Sequence, residues 1–385
     1  MNYSPGGYYQ PPENRPQPGY DPGFNNGPWY SGLKMSHFIH FDVWMREKNL
    51  IRKLSILAAG AVLLYIVFSG VFVGAFQGIL TLISMLTNGA TPSFTTLWKS
   101  AEFMYLFEVL YSVFIVGGPF FLLGYIFNKK IIPVNIPVGK PRNAKYLPLV
   151  VLGGFGVCLA GNIITSYIDI FFETITGMGL EMPEMAETPR NAGGVLLYYL
   201  STAVVPALIE EMALRGVVMQ PLRRYGDWYA IICSAIIFGL MHCNLLQIPF
   251  AFIAGIAIGY AVIVTESVWT GIIIHFCNNA FAVTMSIVYD FCGADSVQYM
   301  ITNIFFYAVI VIGLACAFIY VKKLDKTEFK KSPLVNSGKG FAGLVPMYSA
   351  KITKGTLFKT YLATAPMVIA LIAVIYETVA AMLIL

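Results

Sequence analysis

The sequence predicts an all-α fold, a polytopic bundle of about eight to nine transmembrane helices. Three observations predict it. Hydrophobic residues make up 57% of the 385-residue chain and charged residues only 12%, about half the charged share of a soluble domain. Apolar runs continue past the roughly 20 residues a helix needs to cross the hydrocarbon of a bilayer. The charges lie mostly between those runs, and basic and acidic loops alternate along the chain.

Residues 1–33 are rich in Pro, Gly and Tyr and nearly devoid of aliphatic side chains. Such a stretch cannot bury enough apolar surface to offset its ordering entropy, so a disordered tail is expected. It lacks a basic region followed by an apolar one and is not read as a signal peptide. Residues 34–53 mix His37, His40 and Trp44 with Arg46, Lys48 and Arg52, the composition of an amphipathic segment lying at the membrane surface. Residues 54–321 are read as the transmembrane bundle, with spans near 54–86, 103–127, 146–172, 195–222, 228–246, 249–264, 268–289 and 301–321. The first run exceeds one bilayer crossing, so it is expected to tilt strongly or to break at Gly70, Gly74 or Gly78. A basic linker, 322–360, precedes a last span at 361–385.

Loop charge orients this layout. Lys129, Lys130, Lys140, Arg142 and Lys145 follow the second span, Arg223 and Arg224 the fourth, and a run from Lys322 to Lys331 the eighth. Glu173, Glu181, Glu184 and Glu187 follow the third, and Asp290 and Asp295 the seventh. Bases gather on the cytoplasmic side of membrane proteins, so the N-terminus and the linker are expected there and the C-terminus outside. The bases lie in short loops, which gives nucleic-acid binding no support. The six cysteines sit mostly in apolar runs without CxxC spacing and read as small buried hydrophobes. No pair of inverted repeats marks the chain as a secondary transporter.

Ionisable groups inside a span cost about 2.5–3.5 kcal/mol on insertion scales, so each needs a reason. The fourth span holds Glu210, Glu211 and Arg215. Glu211 and Arg215 are four apart on one helix face and can pair. Glu210 lies about 100° around the helix and is the carboxylate left free for chemistry. The fifth span carries Phe238 and His242, the seventh His275 and Asn279, each pair again four apart. A carboxylate and an imidazole can hold and deprotonate a water, while an imidazole and a carboxamide can donate to a developing oxyanion. Singly, His242 or Asn279 is also what interhelical hydrogen bonding employs.

Glu-Glu-x-x-x-Arg on one span, Phe-x-x-x-His on the next and His-x-x-x-Asn two spans later resemble the CPBP family, which comprises CAAX-prenyl proteases and bacteriocin-processing, Abi-type membrane proteins. The likeness covers about 195–289. It implies an intramembrane endopeptidase acting on a membrane-associated or lipidated protein or peptide, in a bacterial plasma membrane. It implies that Glu210 and His242 activate the attacking water and that His275 and Asn279 serve the oxyanion. Glu211, Arg215 and Phe238 would then support them. Two His and one Glu could instead hold Zn²⁺, through Glu210, His242 and His275. The HExxH spacing of zincins is absent, which favours a metal-free reaction. The alternatives are a catalytically silent protein for bacteriocin immunity or scaffolding, and a proton-coupled transporter using the same buried groups as a relay.

Overall fold

The computed structural model describes residues 35–89, 94–98, 100–177, 187–244, 246–327 and 354–383. The tail, residues 328–353 of the linker, Glu181 and Glu184 lie outside the described residues. Among those described, every regular element is helical.

Among the described residues, seven helices are long and apolar enough to cross a membrane: α1 (Met45–Leu86), α2 (Ala101–Lys130), α3 (Ala144–Thr176), α4 (Ala192–Tyr225), α6 (Gln247–Thr265), α7 (Val268–Cys292) and α8 (Val297–Lys323). Between α4 and α6 lies the shorter α5 (Asp227–Met241). At the C-terminus, α9 (Gly355–Leu362) and α10 (Ala365–Glu377) form a pair bent by 68°, an eighth crossing if the two act as one. The polytopic helical bundle expected from the sequence is therefore present, with two of its nine segments altered. The segment at 228–246 is a helix of only 15 residues, about 22 Å long at 1.5 Å per residue, against a hydrocarbon core of about 30 Å. The segment at 361–385 is not one straight span: its first turn belongs to α9, beyond the bend.

The first helix is unbroken, running from Met35 to Leu86. Gly70, Gly74 and Gly78 do not interrupt it, and a Cβ at any of them would meet open space. Its inner half packs while its outer half faces outward: Ile51, Leu54, Leu57, Ala58 and Val62 are buried, and Val71, Leu82 and Leu86 are exposed. Lipid tails are as apolar as leucine, so helices in a bilayer associate through close packing of small residues and through hydrogen bonds. Both occur. A Cβ on Gly156 of α3 would stand 2.6 Å from the Gly313 Cα of α8, so the two backbones meet there. Ser55 of α1 donates to the Tyr361 carbonyl at 2.6 Å and shares a hydrogen bond with Thr364 at 2.7 Å, fastening the bent C-terminal pair.

Polar contacts tie the ends of different helices together. Arg224 at the end of α4 pairs with Glu47 at the start of α1 at 2.5 Å. Arg142 before α3 pairs with Glu266 between α6 and α7 at 3.0 Å. At the opposite end Asn191 donates to Glu102 at 2.6 Å, and Thr188 donates to Asp290.

Candidate active site

The candidate site lies where α4, α5 and α7 meet, and the sequence of α4 explains its shape. Pro206 lacks an N–H, so it cannot return a hydrogen bond to the Thr202 carbonyl four residues back. The helix widens there into a π-turn over Leu200–Val204 and again over Met212–Val218. Such turns recur at functional sites, and freed backbone groups inside a membrane are tolerated where a neighbour satisfies them. That neighbour is Asn279 of α7, whose Nδ2 donates to the Thr202 carbonyl at 2.9 Å.

Between the two π-turns stand Glu210 and Glu211. Arg215 donates from a terminal guanidinium nitrogen to Glu211 Oε1 at 2.9 Å, and both side chains are fully buried. The second terminal nitrogen donates to the Gly255 carbonyl of α6 at 3.4 Å. Gly271 of α7 makes room for the carboxylate: a Cβ there would meet Glu211 Oε2 at 3.0 Å. Glu210 is half-buried, and among the described residues its carboxylate makes no hydrogen bond or ion pair.

His242 ends α5. The chain leaves the helix through Cys243 in the left-handed region (φ 48°), a conformation that costs a non-glycine residue about 1–2 kcal/mol. The ring of His242 meets the Phe238 carbonyl through Nδ1 at 2.8 Å. A carbonyl only accepts, so Nδ1 carries the proton, and in the neutral ring Nε2 carries the lone pair. The Glu210 carboxylate and the His275 ring both lie within electrostatic reach of His242.

His275 turns the other way. Its Nδ1 meets Glu211 Oε1 at 2.9 Å, so one carboxylate oxygen serves both Arg215 and His275. The pair on α7 therefore diverges in its partners: His275 reaches the ion pair, whereas Asn279 braces the widened turn of α4. Asn279 Oδ1 also accepts from Asn278 at 3.1 Å, which leaves one hydrogen of its Nδ2 unspent.

Phe238 unites the three motifs. Its ring lies edge-on to His242 at 5.1 Å and to His275 at 5.7 Å between centroids. The Arg215 guanidinium carbon stands 4.6 Å from its centre, within the range of a cation–π contact. Glu108 of α2 accepts a hydrogen bond from Ser201 of α4. None of the six cysteines forms a disulfide. Among the described residues, no three His, Cys, Asp or Glu side chains are gathered closely enough to hold a metal ion. Glu210, His242 and His275 thus do not form a ligand set as they stand.

Sequence reasoning missed two contributors. The Thr202 carbonyl was signalled by Pro206, which frees it. The clearance at Gly271 had no signal, because only the packed fold puts that glycine against Glu211.

A helical bundle with a buried charge pair and a free carboxylate between π-turns is the class that fold and site define. Residues 192–281 match the family described as type II CAAX prenyl endopeptidase Rce1-like. That stretch holds Glu210, Glu211, Arg215, Phe238, His242, His275 and Asn279, the residues that carry the resemblance to the CPBP family. The chain is 23% identical over 137 residues to the protein named "Putative membrane peptidase YdiL" of Bacillus subtilis, a stretch covering 35% of this chain. It spans about half the length of that relative, 55%. No solved structure matches.

Proposed function

We propose that this protein is an intramembrane endopeptidase that cleaves a peptide bond of a membrane-associated or lipidated substrate. The observation that carries the reading is the convergence on Phe238, whose ring touches His242, His275 and Arg215 while the Glu210 carboxylate stands free beside them. In this reading a water sits between Glu210 and the Nε2 lone pair of His242. Glu210 takes a proton as the water oxygen attacks the scissile carbonyl, and that proton passes to the departing amide nitrogen. The unspent hydrogen on Asn279 Nδ2 is one donor for the oxyanion. His275 would donate from Nε2 only with both ring nitrogens protonated, and its Nδ1 meets the same Glu211 oxygen that pairs with Arg215. Glu211 and Arg215 would hold the helix turn that presents Glu210.

Comparative membrane proteomics of cells carrying Glu210→Gln tests this reading. A membrane protein or peptide that accumulates uncleaved in the variant and is processed in the parent supports it. Identical proteomes, with the variant present at normal abundance, would overturn it.

A further inference from the structure

Three hydroxyls outside the Rce1-like stretch lead to the same site. Ser69 of α1 and Tyr111 of α2 share a hydrogen bond at 2.7 Å, and the Tyr111 hydroxyl donates to the Tyr65 hydroxyl at 3.4 Å. Because Tyr65 accepts from Tyr111, its own hydrogen is still to be donated, and among the described residues it has no acceptor. The chain of hydroxyls therefore has a direction and ends on an unspent donor.

Helix register puts that donor level with Glu210. Gly117 of α2 lies against Ile209 of α4, where a Cβ would stand 2.6 Å from Ile209 Cγ2. Seven residues on, Gly124 lies against Val217, again at 2.6 Å, so α2 and α4 run parallel and in step. Gly60 of the antiparallel α1 faces Leu123 of α2, with 3.5 Å from its Cβ position to the leucine methyl. Five residues further along α1, about 7.5 Å, Tyr65 reaches the level of Gly118, and hence of Glu210. In agreement, Glu210 and Cys243 both lie within electrostatic reach of the Tyr65 hydroxyl. An unspent donor and a free carboxylate thus occupy one level of the bundle, and no hydrogen bond joins them directly.

We infer that Tyr65 is a positioning residue for the proposed reaction, its hydroxyl donating through one water to the Glu210 carboxylate, with Ser69 and Tyr111 holding the phenol in place. The role rests on the reading of Glu210 as the base. It extends the working site to α1, which the matched stretch of 192–281 does not include. Physically, a donor beyond the carboxylate fixes which oxygen lone pair faces the reacting water, and positioning of this kind acts on the rate of the chemical step rather than on substrate capture.

The test uses the full chain purified into lipid nanodiscs and needs no substrate. The infrared carboxylate band of Glu210 is assigned by its loss in Glu210→Gln. Tyr65→Phe, which keeps the ring and its packing, is expected to shift that band, and Tyr111→Phe to shift it less. An unmoved band in folded Tyr65→Phe overturns the inference whatever the protein cleaves. Once a substrate is in hand, Tyr65→Phe is expected to lower kcat about tenfold with KM unchanged, the worth of one ordinary hydrogen bond. An unchanged kcat overturns it equally, whereas a wild-type protein that cleaves nothing while the band shifts would count against the protease reading alone.

Discussion

Arg215→Ala is expected to destabilise the bundle before it affects chemistry. The guanidinium makes three contacts, with Glu211 Oε1 at 2.9 Å, the Gly255 carbonyl at 3.4 Å and the Phe238 ring at 4.6 Å. Removing one partner of a fully buried ion pair costs about 3–5 kcal/mol, because the other charge is left uncompensated. Here the cost should fall near the lower end, since His275 still donates to Glu211 Oε1, even though the cation–π contact, worth about 0.5–2 kcal/mol, is lost as well. Removing both charges is a different perturbation: replacing a buried pair by apolar residues of similar volume is often neutral. Glu211→Leu combined with Arg215→Met should therefore unfold closer to wild type than Arg215→Ala alone. Unfolding in mixed micelles, followed by circular dichroism, measures all three proteins. Should Arg215→Ala unfold with wild type, or the double variant prove the weaker, the ion pair is not what braces α4.

Gly156→Leu should disrupt the seam between α3 and α8, because its Cβ would lie 2.6 Å from the Gly313 Cα and backbone cannot yield as a side chain can. Loss of extractable folded protein is the readout, and Gly70→Leu, facing open space, is the control expected to be silent. Asn279→Ala should lower kcat by about 10²–10³, as for one lost oxyanion donor. Because the same amide satisfies the Thr202 carbonyl, it should also lower thermal stability, by about 1–3 kcal/mol; a rate effect with no stability effect would place the amide hydrogen elsewhere.

The sequence made the three motifs legible because each is a run of expensive groups at helical spacing, and the Glu211–Arg215 pair follows from a spacing of four alone. Four features were not legible. Spacing placed His275 and Asn279 on one face, but it could not say that they take different partners, because that depends on the widened turns of α4. Hydropathy likewise read the stretch at 228–246 as a full crossing, since apolar composition continues through a turn that backbone geometry ends at Cys243. The bend between α9 and α10 falls just before Pro366, inside a run whose overall hydropathy reads as one span. Tyr65 escaped notice because tyrosine is ordinary in a membrane helix, and only its hydrogen bond with Tyr111 and its level beside Glu210 single it out.

The central claim is that Glu210 is the base that activates water, and the most direct measurement is cleavage by Glu210→Gln. The purified full chain is reconstituted with the substrate that accumulates in cells carrying this variant, and product is followed beside a thermal unfolding curve. A carboxamide keeps the shape of the side chain and loses its basicity. The account predicts that the variant unfolds with wild type and forms no product. Product formed at the wild-type rate by the folded variant would contradict it.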